Sequence, residues 1–213
     1  MLTRRVVGIA AFAAALATAA LARPAAAASE NAEGARAFLQ DLADRTIAVL
    51  NRKEISSPQR IETFRKLFAD GFDVPAIGKF VAGRAWTKAT DPQKTAYLAV
   101  FEDVTILTWA LRFDQYAGEK LVIDSLREEG RAVLLESSII RPGKSPIRVD
   151  WRIEKGGQGY RILDIVAEGT SLAIAQRADY SAVIQQSNGQ FDGLIKALRD
   201  KREKLRREAK LEQ

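Results

Sequence analysis

Apolar residues in the first half of the chain recur at steps of three and four, the spacing of one helical face. The stretch Ala35–Leu50 predicts an amphipathic helix. Ser57 followed by Pro58 predicts the start of a second helix, because serine caps free amides and proline suits a first turn. A third, short helix is predicted over Asp73–Val81, with Gly83 ending it.

The next segment carries a capping box followed by a long apolar run. The side chains of Thr90 and Gln93 can each satisfy the other's backbone amide at a helix start. The predicted helix runs to about Tyr116, where Gly118 ends it. Its apolar residues cover more than one stripe, so we expect it to be buried on most sides.

Beyond this helix the apolar period changes from about 3.6 to 2. Short turns rich in glycine separate the alternating segments, which predicts an antiparallel meander. The four predicted strands are Glu119–Leu126, Ala132–Ile140, Pro146–Glu154 and Tyr160–Glu168. Two helices follow, over Leu172–Gln186 and from Phe191 onward. The order predicts an α+β fold, with helices on one face of a curved four-stranded sheet.

The N-terminus has the features of a secretory signal peptide. Arg4 and Arg5 form a basic start, the stretch Val6–Leu21 is uncharged, and the alanines 26–28 offer a cleavage site before Ser29. The apolar run is shorter than the roughly 20 residues that span a bilayer, so cleavage is favoured over an uncleaved anchor. We therefore expect an exported, periplasmic protein. The paired arginines leave the twin-arginine route open beside the general export route.

Charge and length predict a single mildly basic domain. Removal of residues 1–28 takes away three arginines and no acid, so the formal charge falls from +6 to +3. The remaining basic residues alternate with acidic ones, even near the C-terminus, which argues against a nucleic-acid partner. We expect one domain over 29–205 with a helical subdomain, a charged tail over 206–213, and a monomer.

The composition leaves little room for catalysis. The chain has no histidine and no cysteine, which removes the commonest general base, zinc ligand and thiol nucleophile. No acidic run has the spacing of a calcium loop, so we expect no metal, no cofactor and no catalytic residue. One alternative is an isomerase that uses Asp164 in the last strand as a base. A carboxylate that is ion-paired or bonded to a turn amide is the favoured interpretation, because no second acid or oxyanion donor is identifiable.

Five groups of residues in the same order and spacing resemble one known family. They are Gly83-Arg84-Ala85-Trp86; Thr90 to Gln93 with Tyr97 and Phe101; Pro146 to Arg152; Tyr160 to Ile165; and Glu168 to Leu172, leading to Gln176 to Tyr180 and Gly193-Leu194-Ile195 with Leu198. Over about Phe38 to Arg202 the chain resembles the MlaC family of periplasmic phospholipid-binding proteins, including its hopanoid-associated HpnM branch. Thr170 departs from the usual valine. Ala175-Gln176-Arg177 is closer to the HpnM branch than to the main branch.

The resemblance implies a sheet of the nuclear-transport-factor-2 or cystatin-like type and a lipid cargo whose tails lie inside the protein. It implies a carrier between an outer-membrane lipoprotein and porin complex and the lipid-binding component of an inner-membrane ABC transporter. A phospholipid is the first expected cargo and a hopanoid the alternative. The residues expected to line the lipid pocket are Phe72, Phe80, Trp86, Phe101, Leu111, Val133, Leu135, Val149, Trp151 and Ile162. Those expected at the pocket mouth or docking surface are Arg84, Arg148 and Arg152.

Overall fold

A computed structural model describes residues 29–52, 54–112, 116 and 118–209. The predicted signal peptide over 1–28 and the last four residues of the predicted tail lie outside these ranges. Within the described ranges, no helix combines the length and the apolar composition that crossing a membrane requires.

Six α-helices and one 3₁₀-helix account for more than half of the described residues. The α-helices are α1 (Glu30–Asn51), α2 (Ser57–Gly71), α3 (Val74–Ala82), α4 (Asp91–Ala110), α5 (Leu172–Gln186) and α6 (Phe191–Glu208); the 3₁₀-helix is Gly83–Thr87. The predicted capping box of Thr90 and Gln93 is present at the start of α4. A second box starts α2, but there Ser56 is the cap and Ser57 the first helical residue, so the cap lies one position earlier than predicted.

The end of the long helix α4 differs from the prediction. The helix stops at Ala110, six residues before Tyr116. The backbone N–H of Leu111 donates to the carbonyl oxygens of both Leu107 and Trp109, which marks a tightened last turn. The apolar run that suggested a longer helix therefore continues into a turn, and this turn places Arg112 beside the sheet.

The sheet is an antiparallel meander in sequence order. Its strands are β1 (Lys120–Glu129), β2 (Ala132–Arg141), β3 (Lys144–Gly156), β4 (Gly159–Ala167) and β5 (Thr170–Ser171). The four predicted strands are confirmed. The prediction of only four strands is corrected, because β5 pairs with the end of β4 after a tight turn at Glu168 and Gly169, both with positive φ. A two-residue strand is too short to show a period in the sequence.

Alternation along the strands gives the sheet two different faces. One face carries apolar side chains and is covered by α1, and the other carries paired charges. The Tyr160 hydroxyl donates to the carbonyl oxygen of Asn31, at 3.1 Å, and so joins β4 to α1. Gly34 permits this approach, because a Cβ there would lie 2.2 Å from the Tyr160 oxygen.

The apolar residues form two clusters. The helix core consists of α2–α6 residues packed around Tyr97 and Phe101. The sheet core consists of α1 residues, Leu67 of α2 and the apolar face of the sheet. Phe72 contacts both clusters, and the following backbone N–H, that of Asp73, donates to the Ile162 carbonyl oxygen at 3.1 Å. This link joins the helix core to the sheet.

An apolar cavity over the sheet as candidate functional site

A cavity of about 560 Å³ lies between α1, α2 and the apolar face of the sheet. This volume is within the range of roughly 300–1,000 Å³ that is typical of small-molecule sites. Its apolar lining comes from α1 (Leu39, Leu42, Ala43, Ile47, Leu50), α2 and its C-terminal end (Phe64, Leu67, Phe68, Phe72), the end of α4 (Trp109) and the sheet (Leu121, Ile139, Ile147, Trp151, Ile165). Thr46 also borders it, but its hydroxyl donates to the Leu42 carbonyl oxygen, within the helix.

A tryptophan held by a buried serine forms part of the cavity wall on the sheet side. The indole Nε1 of Trp151 donates to the Ser137 hydroxyl oxygen at 2.9 Å, and that hydroxyl donates to the Val149 carbonyl oxygen at 2.6 Å. Ser137 is fully buried. Because the bond to Ser137 satisfies the only polar atom of the Trp151 side chain, the indole ring can face the cavity as an apolar surface. Ser137 was missed in the sequence, where its signal is a lone polar residue on the apolar face of β2.

The opposite wall is formed by α1 and α2, packed closely together. Gly71 leaves room for Leu42, whose side chain would lie 2.5 Å from a Cβ at that position. The rings of Phe68 and Phe72 stack with their centroids 4.4 Å apart. These contacts fix the aromatic wall without filling the space in front of it. The sequence predicted the apolar stripes of both helices, but it gave no indication that they border a cavity.

Polar residues gather at one end of the cavity, which we call the mouth. They are Arg112, Tyr116, Glu119, Lys120, Arg141 and Lys144. The Arg112 guanidinium lies 5.3 Å from the Trp109 ring centroid. The Tyr116 hydroxyl donates to the Glu119 carbonyl oxygen at 3.1 Å. Burial and the negative charge of Glu119 raise the pKa of Tyr116, so this phenol is neutral at physiological pH.

Six of the predicted pocket residues lie in the sheet or in the chain next to it. Two of them line the cavity and four do not. Phe72 and Trp151 line the cavity. The other four are buried and lie outside the lining: Val133, Leu135, Val149 and Ile162. Three of these are in the sheet core, which supports the cavity from behind.

The remaining predicted pocket residues lie in the helical part. Phe101 is buried in the helix core, and Trp86 and Leu111 pack against that core. Phe80 is 43% exposed and lies under the Arg177 guanidinium, 4.9 Å from its ring centroid. None of the four borders the cavity. The structure therefore does not bring them together with Phe72 and Trp151.

The predicted mouth arginines also lie elsewhere. Arg148 and Arg152 are on the charged face of the sheet, opposite the cavity. Arg148 pairs with Asp150 at 3.2 Å, and Arg152 pairs with Glu129 at 3.2 Å. Arg84 is exposed on the 3₁₀-helix. None of the three borders the cavity, and the cationic groups at its mouth are ones that the sequence did not single out.

Asp164 has a structural role that accounts for its position in β4. Its carboxylate accepts hydrogen bonds from the Ile165 backbone N–H at 2.8 Å, the Ala173 backbone N–H at 3.1 Å and the Ser171 hydroxyl at 2.5 Å. These bonds tie β4 to the start of α5, and Asp164 is not in the cavity lining. The interpretation as a carboxylate bonded to turn amides is therefore favoured over a catalytic base. Across the described part of the chain, no three acidic side chains form a group that could hold a metal ion.

Comparison with known proteins agrees with the family resemblance found in the sequence. The family model described as MlaC protein matches residues 40–200. The fold is similar to that of a phospholipid-binding protein from Ralstonia solanacearum, solved in complex with a phospholipid, with a TM-score of 0.73 and 20% identity over 80% of this chain and 98% of that one. No match was found among curated proteins. Since the family model covers most of the chain, this protein belongs to the MlaC family.

Proposed function

We propose that this protein is a periplasmic carrier that moves a phospholipid between the outer and inner membranes, as the soluble component of an ABC-type transport system. The observation that carries the proposal is the apolar cavity between α1, α2 and the sheet, whose cationic groups, among the described lining residues, all lie at its mouth. Family membership indicates a lipid-binding carrier and not an enzyme.

The driving force for carriage is the transfer of acyl chains out of water. Each methylene that enters an apolar site contributes about 0.8 kcal/mol, so ten methylenes contribute about 8 kcal/mol. The cavity provides aromatic and aliphatic surface for this transfer, and Trp151 exposes no unsatisfied polar atom there. The charged and zwitterionic parts of a phospholipid would remain at the mouth, in contact with water and with the side chains there.

The cargo can be identified by native mass spectrometry of the exported protein purified from a lipid-containing host. We expect a bound species whose mass and fragmentation correspond to a diacyl phospholipid. A hopanoid mass would support the alternative cargo. Protein that is repeatedly lipid-free, and that cannot be loaded from detergent-solubilised phospholipid, would rule out lipid carriage.

Movement between membranes needs a separate test. Donor vesicles containing a fluorescent phospholipid and unlabelled acceptor vesicles can be separated by a membrane that passes only the protein. We expect the protein to transfer label to the acceptor vesicles well above the spontaneous rate. Binding of lipid without transfer would reduce the proposal to a lipid-storage protein.

A further inference from the structure

Among the described residues, the mouth of the cavity carries more positive than negative side chains. Four of those that border it are cationic, from the end of α4 (Arg112) and the adjoining ends of β1, β2 and β3 (Lys120, Arg141, Lys144), and one is a carboxylate, that of Glu119. Within the described ranges none of the four cations forms an ion pair. The arginines on the other face of the sheet differ, because Arg127, Arg148 and Arg152 all have carboxylate partners, at 3.2–3.3 Å.

The sheet itself concentrates these charges. Arg141 and Lys144 are cross-strand partners at the β2–β3 hairpin, and Lys120 pairs with Ile140, the residue next to Arg141. Like charges directly opposite each other on neighbouring strands destabilise a sheet. This arrangement is unfavourable for the empty protein, and an anionic group placed among the three cations would relieve it.

Two of the cations are held in place. The Arg112 guanidinium lies over the Trp109 ring, and the Arg141 Nε donates to the Ser145 carbonyl oxygen at 3.0 Å. Both retain other N–H groups, because a guanidinium carries five donors. Lys120 and Lys144 are exposed, and their ammonium groups can move to meet a ligand. The mouth thus combines two positioned cations with two adaptable ones.

We propose that the mouth selects phospholipids whose headgroups carry a net negative charge, such as phosphatidylglycerol, over zwitterionic phospholipids and over hopanoids with neutral polyol headgroups. The inference rests on the proposed lipid carriage. The tails occupy the cavity, which places the phosphate and the rest of the headgroup where the chain supplies Arg112, Lys120, Arg141 and Lys144. A net anionic headgroup gains attraction from all four groups, whereas a choline headgroup brings a cation of its own to the same place.

The test uses delipidated protein and two phospholipids with identical dioleoyl chains, phosphatidylglycerol and phosphatidylcholine, mixed equally in micelles of a neutral detergent. Native mass spectrometry gives the ratio of the two complexes. We expect phosphatidylglycerol to be favoured at least about fivefold at low salt, and less so at high salt, because exposed charges are screened. In the double variant Lys120→Gln/Lys144→Gln the preference should fall below about twofold, while the far-ultraviolet circular dichroism spectrum, a check on folding, is unchanged.

The matched control removes two exposed lysines that do not border the cavity, Lys79→Gln/Lys201→Gln, and should keep the full preference. Equal loading of both lipids by the unmodified protein, or a preference that survives Lys120→Gln/Lys144→Gln, would overturn the inference. A preference seen with vesicles but absent with micelles would also overturn it, and would assign the cations to attraction toward an anionic membrane surface.

Two further outcomes distinguish headgroup selection from binding of free phosphate and from failure of the proposed function. Inorganic phosphate in tenfold excess over lipid should leave the ratio unchanged, and loss of the preference would mean that the cations bind free phosphate and not a headgroup. Failure to load either phospholipid would contradict the proposed function itself, whereas equal loading contradicts only the selectivity.

Discussion

The helix core and the sheet core are built from the same classes of apolar residue, but among the described residues the cavity lies along the sheet core, and the helix core reaches it only at its edge, through Phe68. In the helix core the ring of Tyr97 is surrounded by other rings, with centroids 5.2 Å away for Phe191 and 5.7 Å for Phe101. In the sheet core, Trp151 and Phe72 have packing partners on one side and the cavity on the other. Aromatic content alone therefore does not distinguish a packed core from a binding site.

The position of α1 accounts for the difference. Its N-terminal end is fastened to the sheet, through Tyr160 to the Asn31 carbonyl oxygen and through the side chains of Ser29 and Asn31 to Glu128. Its later turns, over 39–50, border the cavity instead. The facing residues of α4 and α6 fill the helix core, and the recess of about 320 Å³ between these two helices is lined by polar as well as apolar residues, among them Gln93, Lys196 and Arg199. A helix fastened to the sheet at one end and bordering the cavity along the rest provides a space that an acyl chain can enter.

The largest expected effect comes from truncating an aromatic in the packed region. Phe101→Ala should lower the free energy of unfolding by about 3–5 kcal/mol, because it removes a fully packed ring. Phospholipid affinity of the folded fraction should be unchanged, since Phe101 does not border the cavity. Urea denaturation and native mass spectrometry of the same sample measure both quantities. A selective loss of lipid binding at full stability would place the lipid in the helix core.

The reverse pattern is expected when the cavity is filled. Ala43→Trp places a large ring into the space beside α1 and should weaken phospholipid binding at least tenfold, about 1.4 kcal/mol or more, with little loss of stability. Ala48→Trp is the matched control on the exposed face of the same helix. Equal affinities for the two variants would contradict the assignment of the cavity as the lipid site.

A smaller effect is expected from the polar support of the cavity wall. Ser137→Ala removes the acceptor of the Trp151 N–H and should cost about 1 kcal/mol of stability. It should also increase the mobility of the indole, and so broaden and red-shift its fluorescence. Ser137→Thr keeps a hydroxyl and should retain more of the native spectrum. An unchanged spectrum in Ser137→Ala would show that packing alone holds Trp151.

The smallest effect concerns the pH dependence of the helix core. Burial raises the pKa of both Tyr97 and Tyr180 above the ordinary value near 10. Below about pH 10 the phenols are protonated in both the folded and the unfolded chain. Above it only the unfolded chain loses these protons, so stability should fall as pH rises. Tyr180→Phe should remove less than about 1 kcal/mol of this loss at pH 10.5. Parallel stability curves for the two proteins between pH 9 and 10.5 would contradict the burial of Tyr180.

Most of the fold could be predicted from local pattern, and most of the cavity could not. The capping box at Thr90 and the alternation in β3 depend on neighbouring residues, so they are visible in the sequence. Whether Leu135 or Trp151 faces open space depends on how α1 lies over the sheet, which is a relation between residues about 100 positions apart. The mouth depends similarly on the end of α4. The apolar run continues past the last helical residue, so Arg112 lies in a turn and not within the predicted helix.

The central claim, that lipid tails occupy the cavity between α1, α2 and the sheet, can be tested by photocrosslinking. The probe is a phospholipid with a diazirine at the end of one acyl chain, loaded onto the protein, activated by light and located by peptide mass spectrometry. We expect adducts on α1 between Leu39 and Leu50, on α2 between Phe64 and Phe72, and at Trp151. Adducts confined to the helix core around Phe101, or to the exposed surface that carries Phe80 and Ile174, would contradict the account.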